Sequence, residues 1–569
     1  MWGGWEKRPR CRDVYLADLS APALVYERPE LNYRSPFADD RIVLVGSPAS
    51  LTVSDAREGE GRHGPGPRGG HHRDRSRRTA ADAPSGSVSE RYDLVVLGGG
   101  TGGLVSAMIA AGAGARVALV ERERTGGECL WTGCVPSKSL IAAANLAYRM
   151  RHASAVGLAQ VEPQIDIAHV MDHVQDAIRT LEPESSPERL RAAGVEPVMA
   201  EGRFVAPRKL DVDERELAYR AAIIATGSEP VVPPIAGLVD AQPLTTDTVW
   251  QLRELPTRLL VLGGGPVGCE LAQAFCRLGA HVTLVEMADR LLIKEEPRAS
   301  ELIATRFRGE GVDVRLNARA SSVRPADDGQ GWELAVDGPG SDLLPFDRII
   351  VATGRAPRTQ HLGLQAAGVQ SDSAGRVVVD ARLRTTARSI FAVGDVTGLL
   401  PFTHVAAHHA RVATPNALFH TRGKVETTIP WVTFTDPEVA RVGMTEQEAR
   451  KRWGEPVSIA EFDYANLDRA ITAGEAYGFA KLIAGPRRRL VGATIAAPAG
   501  GEAIAELTAW ISRGETLDSI SRTVHAYPTL AEGPARAADA QLAARYSSPR
   551  TRALTRPVLG ALRALERKR

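Results

Sequence analysis

Two stretches of the chain carry the same succession of apolar, glycine-rich and small residues. RYDLVVLGGGTGGLVSAMIAAGAGARVALVERE, residues 91–123, passes from an apolar run through a glycine cluster into a small-residue segment, then returns to an apolar run that ends on an acid. TRLLVLGGGPVGCELAQAFCRLGAHVTLVEMAD, residues 257–289, repeats that order. Short apolar runs bounded by turn residues predict buried strands, and the longer segments between them predict helices, so each stretch predicts strand, glycine turn, helix, strand. The spacing is shared as well. Gly98, Gly100 and Gly103 lead to Glu121, and Gly263, Gly265 and Gly268 lead to Glu286, with 23 positions from first glycine to acid each time.

Outside these units the pattern thins. Residues before 91 hold one strand-like run, RIVLVGS at 41–47, and the stretch at 58–87 is so rich in Gly, Arg, His and Pro that it cannot bury enough apolar surface to fold. A disordered extension is expected there, with His63, His71 and His72 read as solvated low complexity rather than metal ligands. At the other end, Leu554, Val558, Leu562 and Leu565 fall on one helical face among basic residues. Such a helix usually packs on its own protein; the alternative is weak peripheral contact with a membrane surface.

Composition then narrows the partners. The chain has 569 residues and 44% hydrophobic content, enough for several cores. Its 70 Lys and Arg nearly balance 68 Asp and Glu, so no net field points to nucleic acid. Small-molecule ligands are expected. Five cysteines are too few for a disulfide-stapled secreted scaffold. The start MWGGWEKRPRCRD places charges where a signal peptide needs an apolar core, and no apolar run reaches the length of a membrane span. The expected location is cytoplasmic.

The two glycine units carry the first chemistry. In each, the first glycine makes a tight turn, the second lets backbone approach a pyrophosphate, and the third lets the helix pack on the strand, with the helix N-terminus facing the phosphates. Two dinucleotide sites are expected. An acid such as Glu286 accepts bonds from a ribose 2'-hydroxyl and repels a 2'-phosphate, which favours NADH over NADPH, although Arg290 one turn on softens that preference.

The stretch GGECLWTGCVPSK, residues 126–138, carries the second chemistry through Cys129 and Cys134. Cysteine metal sites need three or four ligands, and no second pair is available: Cys269 and Cys276 belong to the second glycine unit's helix, and Cys11 is isolated. No metal site is expected. A dithiol on one helical turn, with its sulfurs facing and a helix N-terminus lowering a thiol pKa, suggests an electron relay beside the dinucleotides.

GGECLWTGCVPSK, both glycine units, AAIIATGSEP at 221–230, RIIVATGRAPRT at 348–359 and SIFAVGDVTG at 389–398 together resemble the class I pyridine nucleotide-disulfide oxidoreductases, the family of dihydrolipoamide dehydrogenase, glutathione reductase and mercuric reductase. The resemblance covers residues 91–545. It implies an α/β fold with two Rossmann-like domains, for FAD and NAD, and an α+β dimerisation domain. The implied boundaries are 1–90 for the extension, 91–240 and 361–428 for the FAD domain, 241–360 for the NAD(P) domain, 429–545 for the interface domain and 546–569 for the tail. FAD would use Gly98, Gly100, Gly103, Glu121, Gly202, Thr226, Gly227, Asp395 and Thr403. Lys138 would lie near the flavin, paired with Glu270. NADH, with NADPH possible, would use Gly263, Gly265, Gly268, Glu286, Gly354 and Arg355. Cys134 would be the flavin-proximal charge-transfer thiol and Cys129 the interchange thiol, in a homodimer whose active site spans both subunits.

One departure bears on the acceptor. In disulfide-reducing members a His before Pro-Thr, oriented by a following Glu, serves as acid-base. This chain reads TVHAYPTLAEG at 523–533, with Tyr527 in that position while Pro528, Thr529 and Glu532 match. A phenol with a pKa near 10 is a poor base at neutral pH, and His525 is a candidate substitute. Tyrosine here resembles the mercuric reductase branch, whose soft metal acceptor suits thiolates. The matching segments PFTHVAAHHA at 401–410 and IPWVTFTDPEVARVG at 429–443 agree with that branch. Its N-terminal CxxC domain and C-terminal Cys-Cys pair have no counterpart in this sequence. Other readings are a dihydrolipoamide dehydrogenase with Tyr for His, a soluble transhydrogenase-like enzyme, or a non-catalytic flavin redox sensor.

Overall fold

The computed structural model of the chain describes residues 91–338 and 342–567. The expectations for residues 1–90, the run at 41–47 and the disordered extension among them, lie outside the described residues.

The first glycine unit folds as strand β1 (Tyr92–Leu97), helix α1 (Thr101–Gly112) and strand β2 (Val117–Glu121). β1 is the hub of a seven-stranded sheet, pairing in parallel with β2 through Leu94↔Val117 to Leu97↔Val120 and with strand Arg215–Ile224 through Leu94↔Ala221 to Leu97↔Ile224. Leu94, Val95 and Val96 are fully buried. A strand covered on both faces reads as a continuous apolar run rather than an alternating one, which is why DLVVL carries no period of two. Helix α1 lies against helix Thr403–Phe419. Strand Ile390–Ala392 enters the same sheet from far along the chain and delivers the Gly394–Thr397 turn to its edge.

The second unit builds a separate four-stranded parallel sheet in the order Asp313–Arg315, His281–Val285, Arg258–Leu262, Arg348–Val351, with helix Pro266–Arg277 after its glycine turn. A three-stranded antiparallel sheet of Arg319–Pro325, Trp332–Asp337 and Leu343–Phe346 joins its core through Leu334, Leu344 and Phe346. Residues 430–497 form a five-stranded antiparallel sheet backed by helices Gly500–Ser512 and Glu532–Tyr546. Buried Arg277 joins this sheet to the second unit, pairing with Glu310 at 2.6 Å and with Asp436 at 2.8 Å.

The tail forms helix Pro549–Glu566, but it does not pack on its own protomer as expected. None of its residues is buried, and Leu554 and Leu565 are 74% and 63% exposed. The arginines that flank this apolar face keep the helix soluble enough to stand alone on the surface. No helix among the described residues is long and apolar enough to cross a membrane.

Candidate active site

The two glycine turns are the same backbone built twice. Gly98 and Gly263 adopt φ of +102° and +112°, and a Cβ at either would lie 2.4 Å from Ala225 O or 2.6 Å from Ala352 O. A Cβ at Gly103 or Gly268 would lie 1.8 Å from the carbonyl oxygen of Gly98 or Gly263. Only hydrogen fits there. The acids close both turns: Glu121 accepts from Gly99 N at 2.6 Å and Glu123 N at 2.9 Å, while Glu286 accepts from Gly264 N at 2.6 Å and Ala288 N at 2.8 Å. Gly100 and Gly265 precede their helices with no side-chain cap, which leaves first-turn N–H groups for an anion.

Beside the first turn, a cavity of about 90 Å³ brings together Gly98, Glu121, Gly202 and Thr226, with Arg358 on its wall. Uncapped helix ends and glycines with no room for a side chain fit a dinucleotide at each turn, and the first turn has this shaped opening beside it as well. Gly227 sits at φ +71° just past this opening. Asp395 accepts from Ser228 Oγ at 2.7 Å, and Gly354 has φ +148° with open space where a side chain would be. Arg290 donates to Ile293 O at 2.8 Å and so is engaged with its own loop.

The cysteines do not share one helical turn. Cys129 lies in helix α2 (Gly127–Trp131) and Cys134 opens helix α3 (Cys134–Arg151), with Thr132 and Gly133 breaking the path between them. Gly133 adopts φ −116° and ψ −106°, outside helical geometry, so the chain bends and the sulfurs still meet. The thiol of Cys129 donates to Cys134 Sγ, which lies 3.3 Å from Thr403 Oγ1. That hydrogen bond, the Thr403 hydroxyl and the nearby Lys138 charge pull the Cys134 thiol down to about 6 against the opposing effect of burial. Donating to its neighbour and losing solvent push Cys129 far above the usual thiol range. The pair is poised with one thiolate and one thiol at neutral pH. Thr403, implied as a flavin contact, is placed against this thiolate.

Lys138 lies one turn along α3 from Cys134, on the same face. Its Nζ is 2.8 Å from Glu270 Oε2 and 4.4 Å above the Phe434 ring, and Glu270 Oε1 accepts from Phe434 N at 2.9 Å. Glu270 is buried, so this is not a surface pair. Phe434 is a member of the site that sequence reasoning missed. Its only signal was its place within the matching segment at 429–443.

Glu128 was missed as well. Its carboxylate is 2.5 Å from Arg355 Nη2, and Arg355 also donates to Ser228 Oγ at 2.9 Å, joining the dithiol loop to the Asp395 turn. Burial outweighs the pull of Arg355 and, with Asp395 and Asp247 adding to it, pushes the Glu128 carboxyl up to about 7. An acid inside an otherwise small and apolar motif was the available clue. Arg355, implied as an NADH contact, turns its guanidinium toward the dithiol loop.

Near the chain end, Tyr527 is 65% exposed and donates to Asp468 at 2.8 Å. This bond raises its pKa further. Glu532 does not orient Tyr527: its carboxylate accepts from Thr529 N at 3.3 Å and pairs with Arg536 at 3.2 Å, because the chain turns into a helix at Glu532 and carries the side chain inward. His525 is held by Glu506 at 3.1 Å and by Thr523 O at 3.0 Å, which leaves neither ring nitrogen free. Cys269 is buried and Cys276 half-buried, as packing residues of their helix.

Comparison with known proteins agrees with this geometry. The pyridine nucleotide-disulphide oxidoreductase model matches residues 92–410, and that family's dimerisation-domain model matches residues 429–538. A dihydrolipoyl dehydrogenase of Thermus scotoductus is 36% identical over 79% of this chain and 97% of its own length. A mercuric reductase of Streptomyces lividans is 37% identical over 78% of this chain and 94% of its own length. The Cu(II) complex of the HOCl-induced flavoprotein disulfide reductase RclA from Escherichia coli superposes with a TM-score of 0.71 at 27% identity, covering 79% of this chain and 99% of that one.

Proposed function

The chain belongs to the pyridine nucleotide-disulphide oxidoreductases, FAD-dependent enzymes acting with NAD(P)H, and from that premise we propose that it passes electrons from NADH through Cys129 and Cys134 to a soft, thiol-bound metal ion. FAD, when bound at the first glycine turn, supplies the two-electron link between nicotinamide and dithiol. In this reading Gly98, Gly100, Gly103, Glu121, Gly202, Thr226, Gly227 and Asp395 hold it, while Gly263, Gly265, Gly268, Glu286 and Gly354 hold NADH. The dimerisation domain makes the working unit a homodimer, in which Tyr527 serves the partner's Cys129.

The residue that carries the proposal is Tyr527. Releasing a thiol from a disulfide requires a proton for the departing sulfur, and a phenol bonded to Asp468 does not give up its own at neutral pH. Reducing a bound metal makes no such demand. The balance is two electrons: NADH becomes NAD+ and a proton, and Hg(II), as the test ion, becomes Hg(0). Binding the soft ion displaces the Cys129 proton to solvent, so both sulfurs hold it as thiolates, and the Lys138 charge beside Cys134 favours the thiolate there.

A second reading, dihydrolipoamide dehydrogenase, is favoured by the Thermus relative and by the matching Pro528, Thr529 and Glu532. An NADH oxidation screen against Hg(II), lipoamide, glutathione disulfide and quinones separates the two, with Cys129→Ser as control. Turnover with Hg(II) that the control abolishes supports the proposal. Lipoamide turnover at the rate of an ordinary family member overturns it.

A further inference from the structure

Two loops of the first unit, residues 380–388 and 420–423, meet around a cavity of about 240 Å³ walled by Arg382, Arg384, Arg388 and Arg422, with His420 at its edge. No carboxylate lines it. Arg384 reaches Asp380 at 3.4 Å, but the guanidinium groups of Arg382, Arg388 and Arg422 have no hydrogen bond or ion pair among the described residues. Cations gathered without counter-charge repel one another and build a positive potential at the mouth of a concave site.

An ordinary solvated charged face needs no fixed scaffold beneath it, and this one has a scaffold. Asn416, 3% exposed, binds both loops: Nδ2 donates to Arg382 O at 3.2 Å and Gly423 O at 2.9 Å, while Oδ1 accepts from Thr421 Oγ1 at 2.7 Å and Gly423 N at 3.0 Å. That uses every donor and acceptor of the amide. Asp380 fixes the other loop by accepting from Arg382 N at 2.8 Å and Arg384 N at 3.0 Å. The backbone is therefore set while three guanidinium forks stay free.

We propose that this cavity binds the phosphate or pyrophosphate group of a small molecule. Guanidinium forks match phosphate oxygens two at a time. The volume is below the roughly 300–1,000 Å³ of sites for drug-sized ligands, which suits a compact anion with any remainder outside the mouth. The C-terminal end of helix Thr403–Phe419 points its partial negative charge here, and the arginines outweigh it. That helix begins at the hydroxyl touching Cys134 and runs 17 residues to this corner, or about 25 Å at 1.5 Å per residue. The cavity thus lies apart from the dithiol.

The test titrates FAD-loaded protein with pyrophosphate, inorganic phosphate and ATP by calorimetry at fixed ionic strength. Saturable binding with a dissociation constant on the order of 0.1–1 mM is expected. The double variant Arg388→Glu, Arg422→Glu should weaken it at least about tenfold with NADH oxidation unchanged. Arg388→Ala should weaken it less, and retained flavin reports folding of each variant. ATP binding more tightly than pyrophosphate identifies a nucleotide as source, and equal affinity identifies free pyrophosphate; either supports the site. No saturation by any probe, or equal binding by wild type and double variant, overturns it.

Discussion

Removing the sulfur of Cys129 tests how the Cys134 thiolate is held. The Cys129 thiol donates to Cys134 Sγ, and this bond is the largest of the effects that bring Cys134 down to about 6. A hydrogen bond to a charged group contributes about 1.5–3 kcal/mol, and 1.36 kcal/mol corresponds to one pH unit in a titration midpoint. Cys129→Ala should therefore move the Cys134 midpoint from about 6 to about 7–8, with Thr403 and Lys138 supplying the remaining stabilisation. At pH 7 the thiolate fraction falls from about nine-tenths to between about half and one-tenth. The assay is alkylation of the reduced protein by iodoacetamide across pH, with Cys134 modification followed by mass spectrometry of its peptide. A midpoint that stays near 6 in Cys129→Ala refutes the assignment and leaves Thr403 and Lys138 as the cause. A wild-type midpoint in the ordinary thiol range refutes the poised pair itself.

Four other perturbations probe separate parts of the site. Gly103→Ala places a Cβ 1.8 Å from Gly98 O and should cost about 1–3 kcal/mol of stability. The variant should also lose flavin on gel filtration, whereas full flavin retention would show that the turn can shift. Glu286→Ala removes the charge that opposes a 2'-phosphate, so the kcat/KM ratio of NADH to NADPH should fall about tenfold, the equivalent of about 1.4 kcal/mol. An unchanged ratio places Glu286 outside the ribose site. Tyr527→His restores an acid-base group and should raise lipoamide turnover by at least about tenfold; no gain would show that the base is not what limits disulfide chemistry. Folding raises the Glu128 carboxyl from 4.5 to about 7, so its contribution to stability is present below pH 4.5 and lost as pH rises through 7. Thermal denaturation across pH should accordingly show wild type losing ground to Glu128→Gln over that window, and parallel curves would remove Glu128 as the cause.

What the sequence disclosed and what it hid follow from the range of the interactions involved. The glycine units were legible because each is a local device: residue 98 must turn, residue 103 must clear a carbonyl five positions back, and the acid must return along the next strand. Such needs leave fixed spacings. Lys138 and Glu270 were legible only through the family resemblance, since nothing local links positions 132 apart. Glu128 and Arg355 lie 227 positions apart and meet only because the second unit folds back on the dithiol loop. The bend between the cysteines was misread for a different reason. Cys129 and Cys134 are five positions apart, one more than a helical turn brings face to face, and only backbone angles reveal that Gly133 leaves the helix and lets the sulfurs meet. Glu532 shows the same limit, since its spacing from Tyr527 matched while its side chain turned inward. The tail's apolar face was visible in its spacing, but whether anything covers it was not.

The carboxylate of Glu270 has two oxygens, and each is claimed by a different part of the molecule: one by Lys138 beside the dithiol, the other by the backbone of Phe434, which directly follows strand Pro430–Thr433 of the antiparallel sheet. The residue works as a keystone shared by three modules. Exchanging any one of those modules with a relative's, as in building a chimera to alter acceptor choice, would preserve the joint only if positions 138, 270 and 434 were carried across as a set. The usable seams for recombination in this chain therefore do not follow the domain boundaries, because the smallest transferable unit includes contact residues from all three.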